Sequence, residues 1–156
     1  MTNIRIRKAE GERDLSFMLG LGHRLAAVIE TELHEQADIR AFQDAFSAAN
    51  LSEPELGSLS LIAEDAVGVG LGFLHALPGT DGITGREIGY VALLAVTEAA
   101  EGMGAARQLL AAAEDWARQQ GYAALSLDVF ASNHRGRLFY EKNGFATEAL
   151  RLVKKL

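Results

Sequence analysis

The chain opens on alternation. In "NIRIRKA" Ile4 and Ile6 alternate with Arg5 and Arg7, which predicts a short, half-exposed strand. The apolar period then lengthens. "ERDLSFMLGLGHRLAAVIETELHE" places Leu15, Met18, Leu19, Leu25, Val28 and Ile29 near helical spacing, and Gly20 and Gly22 predict a break into two pieces. "DIRAFQDAFSAAN" continues as helix, with Ile39, Phe42 and Phe46 as its apolar stripe. Beyond the loop "LSEPEL", "SLSLIAED" and "AVGVGLGFLHAL" read as two strands joined by a turn around Asp65 and Ala66. "PGTDGITG" is a cluster of turn formers and reads as the most flexible loop of the chain. "REIGYVALLAV" is a continuous apolar run, which predicts a central strand covered on both faces.

A turn with two glycines, "EGMGAA", follows and leads into a helix reaching about Gln120. Leu109, Leu110, Ala113, Trp116 and Ala117 form its buried stripe, and Gly121 is placed to end it. "AALSLDVFA" is the next strand, with Leu125, Leu127 and Val129 on one face. "SNHRGRLFYEKNGF" is a short helix with Ser132 or Asn133 as N-cap and Gly144 as its stop. "FATEALRLVKKL" is strand-like and makes one strand or two. This order predicts one domain over residues 1–156, an α/β (α+β) fold with a mixed sheet and helices on both faces.

Composition narrows the classes. Hydrophobic residues make up 49% of the chain, enough for a core, and no apolar run is long enough to cross a membrane. A net charge of −6 argues against a general nucleic-acid binder. The absence of cysteine excludes thiolate metal sites, and His23, His75 and His134 have no metal-ligand spacing, so no metal is expected. The opening "MTNIRIRKAEGERD" lacks an apolar signal core, which together with the lack of cysteine predicts a cytoplasmic protein.

The glycine turn is the first candidate for chemistry. It is not a phosphate-binding P-loop, because no Gly-Lys-Ser/Thr follows. It is not a dinucleotide fingerprint either: the third glycine is missing, and Asp128 lies within the next strand rather than at its end. What remains is close packing of helix on strand, or an anion site at the head of a helix. Small residues at 102, 104 and 106 permit close approach, and the free N–H groups of a first helical turn point at an anion.

The strand, turn and helix together resemble the acyl-CoA-binding motif of the GNAT acyltransferase superfamily, Arg/Gln-x-x-Gly-x-Gly/Ala. Gly104 and Ala106 take the small positions, Leu109 and Leu110 the apolar pair, and Trp116 and Ala117 a frequent "WA". A second stretch, Ser126 to Phe145, is similar to the family's strand, Asn-capped helix and "FYEKxGF" ending. The resemblance runs from Tyr90 to Phe145. It implies a mostly antiparallel sheet with a splayed central strand pair. It also implies acetyl-CoA as cosubstrate, with its pyrophosphate at Glu101, Gly102, Met103, Gly104, Ala105, Ala106 and Arg107. The pantetheine arm would lie along Leu94, Ala95 and Val96, near Asn133. Tyr140 would donate a proton to the departing thiolate; a phenol, protonated at neutral pH, suits that role. Asn133 and Tyr140, seven residues apart, share a helix face, although Asn133 also fits a plain cap and Tyr140 a plain core residue.

One position departs from the pattern. Glu101 stands where the family has Arg or Gln. Either its carboxylate turns to solvent and Arg107 supplies the positive charge, or CoA binding is weakened and catalysis lost. The base that frees the amine of its proton is also missing from mid-strand "YVALLAV". Glu87 at the strand's start is the first candidate, followed by Glu30, Glu32, His34 and Glu35, and each also reads as a surface charge. Two functions stay open: an acetyl-CoA-dependent N-acetyltransferase acting on an amine, and a non-catalytic acyl-CoA-binding or regulatory protein. The resemblance also allows a homodimer.

Overall fold

The computed structural model describes residues 3–156. Five strands form one sheet in sequence order: β1 (Arg5–Lys8), β2 (Leu59–Glu64), β3 (Gly70–Thr80), β4 (Glu87–Val96) and β5 (Leu125–Leu127). The first three pairings are antiparallel and β4–β5 is parallel. The helices are α1 (Gly11–Gly20), α2 (Gly22–Ala27), α3 (Gln36–Leu51), α4 (Ala105–Gln119) and α5 (His134–Lys142).

Strand alternation divides the core in two. Leu74 and Ala76 of β3 point to one face, where they join Leu109, Leu110 and Ala113 of α4 and, at the margin, Phe139 and Tyr140 of α5. Phe73 points to the other face, with Met18, Leu21 and Leu51 from the N-terminal helices. The continuous apolar run of β4 is therefore covered on both sides, as its composition predicts. Gly89 serves the pairing of β4 with β5: a Cβ there would lie 2.9 Å from Leu125 and 3.1 Å from Trp116, so only a bare backbone lets α4 sit this close.

Several elements differ from the sequence expectation. The helix read through Glu35 ends at Ala27, because the carbonyl of Val28 accepts from Ser132 Oγ and the N–H of Glu30 donates to it. Those backbone groups serve a tertiary bridge instead of another helical turn. The stripe of α3 is Ile39, Gln43, Ser47 and Leu51, while Phe42 is 52% exposed. Gln43 and Ser47 tolerate burial because they bond each other at 3.2 Å. β3 starts later than the apolar pattern does, since Asp65 accepts from the N–H groups of Val67 and Val69 and holds them as a turn. The same strand runs on through Pro78 to Thr80, so the loop expected over residues 78–85 shrinks to a tight turn held by Asp81. Pro78 is tolerated because β2 ends opposite Ala76, leaving the proline nitrogen nothing to pair with on that side. β5 stops at Leu127, short of Val129. Residues 146–156, read as strand, have no assigned secondary structure and are exposed, with no sheet neighbour among the described residues.

A buried ionic cluster fastens the N-terminus to the sheet. Arg7 reaches Asp14 with two bonds, 2.6 and 3.0 Å, and Glu64 with a third at 2.8 Å. Arg5 donates to Glu64 as well, and Asp14 accepts the N–H of Glu10 at 2.8 Å. The Arg7 guanidinium is the main reason why both carboxyls sit below their ordinary values. With folded values depressed, their contribution to stability is complete above the ordinary carboxylate range and is lost as pH falls through the lowered values. Arg7→Leu is expected to cost roughly 3 kcal/mol at neutral pH, since it leaves the buried Asp14 carboxylate without its cation. Urea unfolding of variant and parent will show the gap at neutral pH and its closure in acid; an equal gap at both would refute the ionic origin.

Candidate active site

The site begins where β4 and β5 part. β5 pairs only with Gly89, Tyr90 and Val91. The next residue, Ala92, is extra in the pairing with β3, because His75 faces Leu93 and Ala76 faces Val91. This bulge turns the consecutive side chains of Ala92 and Leu93 toward the same N-terminal-helix core. From Ala92 to Val96, β4 has no neighbour on its β5 side. Half of the backbone groups of such an edge are free to bond an extended, amide-bearing chain. Leu94 and Val96 point to the α4 face and Ala95 to the other, so all three proposed arm contacts line this edge.

β4 ends in the glycine turn. Thr97 accepts from the Ala100 N–H at 3.2 Å and caps a short 3-10 turn over Glu98–Ala100. Gly102 and Gly104 then adopt φ of +76° and +89°, and a Cβ at either would meet only open space. Here glycine is demanded by conformation, not by crowding. Among the described residues the N–H groups of Gly102, Gly104, Ala105, Ala106 and Arg107 donate to no backbone carbonyl, and the first bond of the α4 helix runs from Gln108 to Gly104. Several unpaired donors at the positive end of a 15-residue helix suit a diphosphate. Met103 and Ala105 pack into the same apolar cluster as Leu94, Val96 and Tyr140.

Glu101 is exposed, yet its carboxylate is engaged by two arginines. One carboxylate oxygen takes Arg24 from α2 and the other takes Arg135 from α5, at 2.9 Å. Arg135 first and Arg24 second hold its carboxyl below the ordinary range. Arg107 is exposed, with no carboxylate within salt-bridge distance among the described residues.

Asn133 is the N-cap of α5, its side-chain oxygen accepting from Gly136 N–H at 3.0 Å. Ser132, the other capping candidate, instead bridges Val28 and Glu30. Tyr140 lies between Phe139 and Phe145, with ring centroids 5.3 and 5.8 Å away. Burial pushes its phenol up to about 12. It stays protonated at neutral pH, and it is a weaker acid than a free phenol.

The candidate bases fall apart spatially. Glu87 is the exposed first residue of β4, on the far side of the β4–β5 ladder from the opening. Glu30, Glu32, His34 and Glu35 lie on the exposed segment between α2 and α3. His34 bonds Thr31 at 2.6 Å, and Glu35 forms a capping box with Asp38 on α3. A carboxylate missed by sequence reasoning stands at the opening itself. Asp128 follows the last residue of β5 and accepts from Tyr90 hydroxyl at 2.7 Å. Because Gly89 faces α4, Tyr90 projects to the face covered by the N-terminal helices, and Asp128 reaches that same face. Burial, then the bond to Asp128, raises the Tyr90 phenol well above its ordinary value, so it stays a donor. The signal was available: in "LSLDVFA" Asp128 breaks an apolar strand on the face opposite Leu125 and Leu127.

His75 is buried at the bulge, bonded through Nδ1 to Ser60 Oγ at 2.7 Å, while its Nε2 has no partner. Burial lowers its pKa to about 4, so it is neutral. Among the described residues no group of three or more His, Asp or Glu has the geometry to hold a metal ion.

The chain is similar to known proteins in sequence and in fold. Residues 22–145 match the acetyltransferase (GNAT) family. The chain is 34% identical over 114 residues to the uncharacterized N-acetyltransferase YhfO of Bacillus subtilis, covering 73% of this chain and 74% of that protein. Its fold is similar to that of a putative acetyl transferase from Pyrococcus furiosus, with a TM-score of 0.79, 21% identity and coverage of 99% and 100% of the two chains. It is also similar to AAC(6')-Iy in complex with the bisubstrate analog CoA-S-monomethyl-acetylneamine, with a TM-score of 0.67, 22% identity and 99% of each chain covered.

Proposed function

The chain belongs to the GNAT acetyltransferase family, and from that premise we propose which of its residues carry out the reaction. The activity is transfer of an acetyl group from acetyl-CoA to an amine of an unidentified acceptor. The observation that carries the assignment is the opening of the sheet after Val91, which leaves a free strand edge leading directly into the glycine turn.

Bound acetyl-CoA supplies the activated acetyl group. The turn Gly102–Arg107 holds its diphosphate through backbone N–H groups, and Leu94, Ala95 and Val96 hold the arm. The arm then lies between two proton-bearing groups. Asp128 takes a proton from the acceptor's ammonium, so that the neutral nitrogen can bond the acetyl carbon. Tyr90 orients that carboxylate through its hydroxyl. As the carbon–sulfur bond breaks, Tyr140 donates to the sulfur, and Asn133 fixes the start of the helix that carries it. The N-terminal helices wall the acceptor side. The reaction needs no metal, and the charge of −6 recommends neither nucleic acid nor a membrane surface as partner. Among the described residues no helix is long and apolar enough to cross a membrane. The need for acetyl-CoA supports a cytoplasmic site of action, and the single sheet supports one domain over residues 1–156.

Tyr140→Phe is expected to lower kcat and kcat/KM together by about 10², the low end for general-acid assistance, because a buried phenol is a poor acid. Free-thiol release with a panel of amines measures this. A parental rate while chemistry limits turnover would reduce Tyr140 to a packing residue, and acetyl-CoA binding with no thiol release from any amine would favour the binding-only alternative.

Asp128→Asn is expected to lower kcat by about 10²–10⁴. Glu87→Gln should leave kcat unchanged. The reverse outcome would return the base to Glu87.

A homodimer has one supporting feature. Leu150, Leu152 and Leu156 are 77%, 89% and 108% exposed on the C-terminal segment, which leaves the body beside the open edge of β5. Removing residues 146–156 is expected to convert a dimer to a monomer by light scattering. An unchanged mass would dismiss this segment as the contact.

A further inference from the structure

The acidic residue at the head of the glycine turn gathers cations around it. Glu101 binds Arg24 through one oxygen and Arg135 through the other. It is the only carboxylate within salt-bridge distance of either guanidinium among the described residues. Each guanidinium has five N–H donors, and one carboxylate cannot use them all. The cluster holds two positive charges and one negative, so the place where a lone glutamate would repel an anion has a net charge of opposite sign. The donors come from separate parts of the chain. Arg24 lies in the last turn of α2, on the acceptor side, and Arg135 in the first turn of α5. Glu101, which holds both guanidiniums, directly precedes Gly102, whose N–H bonds no backbone carbonyl among the described residues.

We propose that Arg24 and Arg135, held as a pair by Glu101, bind the diphosphate of acetyl-CoA alongside the backbone N–H groups of the Gly102–Arg107 turn. The inference rests on the reading that acetyl-CoA occupies that turn. Planar guanidinium forks suit phosphate oxygens, and their bonds to an anion are stronger than neutral ones. The charge that an arginine at position 101 would supply from within the turn is here delivered by two helices. Because one of them is α2, the phosphates also anchor the wall of the acceptor side.

The test titrates acetyl-CoA and S-acetyl-pantetheine, which has the same thioester arm without phosphates, against the parent, Gly104→Glu, Arg24→Gln and Arg135→Gln. Melting curves check the fold of each variant, and Arg135, on the surface, provides a variant expected to fold in any case. Each arginine variant should bind acetyl-CoA about tenfold more weakly, with a shallower dependence on salt, and should bind S-acetyl-pantetheine like the parent. Parental acetyl-CoA affinity in both, with Gly104→Glu impaired, would overturn the role of the arginines and leave the turn as the site. Equal weakening of both ligands would also overturn it, since the arginines would then act through the fold. If Gly104→Glu binds acetyl-CoA as tightly as the parent, the underlying site is misplaced and the proposal falls with it.

Discussion

The site depends on a ladder that stops after three residues. β4 is the longest apolar strand of the sheet's second half, yet β5 accompanies it only from Gly89 to Val91. The extra residue Ala92 ends that pairing and changes the twist of β4. Backbone groups that a longer β5 would have satisfied are left available along an edge. That edge runs without interruption into the turn at Glu101, and the turn into the head of α4. One local irregularity thus aligns a strand edge, a set of unpaired N–H groups and a helix terminus.

Two cores keep the edge in place and separate its tasks. Leu109, Leu110 and Ala113 of α4 seal one face, and Met18, Leu21 and Leu51 the other. Tyr140 belongs to the first face, whereas Tyr90 and Asp128 meet on the second. The two side chains sit in different environments: Tyr140 within an aromatic cluster, Asp128 at the surface beside the opening. The two faces are not independently mobile. Ser132 ties the segment after α2 to the head of α5, and the Arg7–Asp14–Glu64 cluster fixes β1 and α1 to β2. Such cross-links limit how far the mouth can gape.

What could be read in the sequence was what depends on neighbours in the chain. The stripe of α4, the glycine turn, the cap at Asn133 and the cover of β4 on both faces follow from periodicity and turn chemistry alone. The errors share a different cause. Phe42 looked like core and Gln43 like surface, but Gln43 is buried because Ser47 is one turn away to bond it. The helix through Glu35 was stopped by Ser132, 102 residues beyond Glu30. Pro78 signalled a loop, but it sits in a strand where β2 has already ended. The role of Asp128 needed the knowledge that Tyr90, 38 residues earlier, lies across the ladder from it.

Glu101 answers to Arg24 and Arg135, residues 77 and 34 positions away in the chain. The three positions form an epistatic set. Restoring an arginine at 101 alone would crowd three cations together, and losing either partner alone would leave the carboxylate less well neutralised. The three charges therefore tolerate substitution jointly rather than singly.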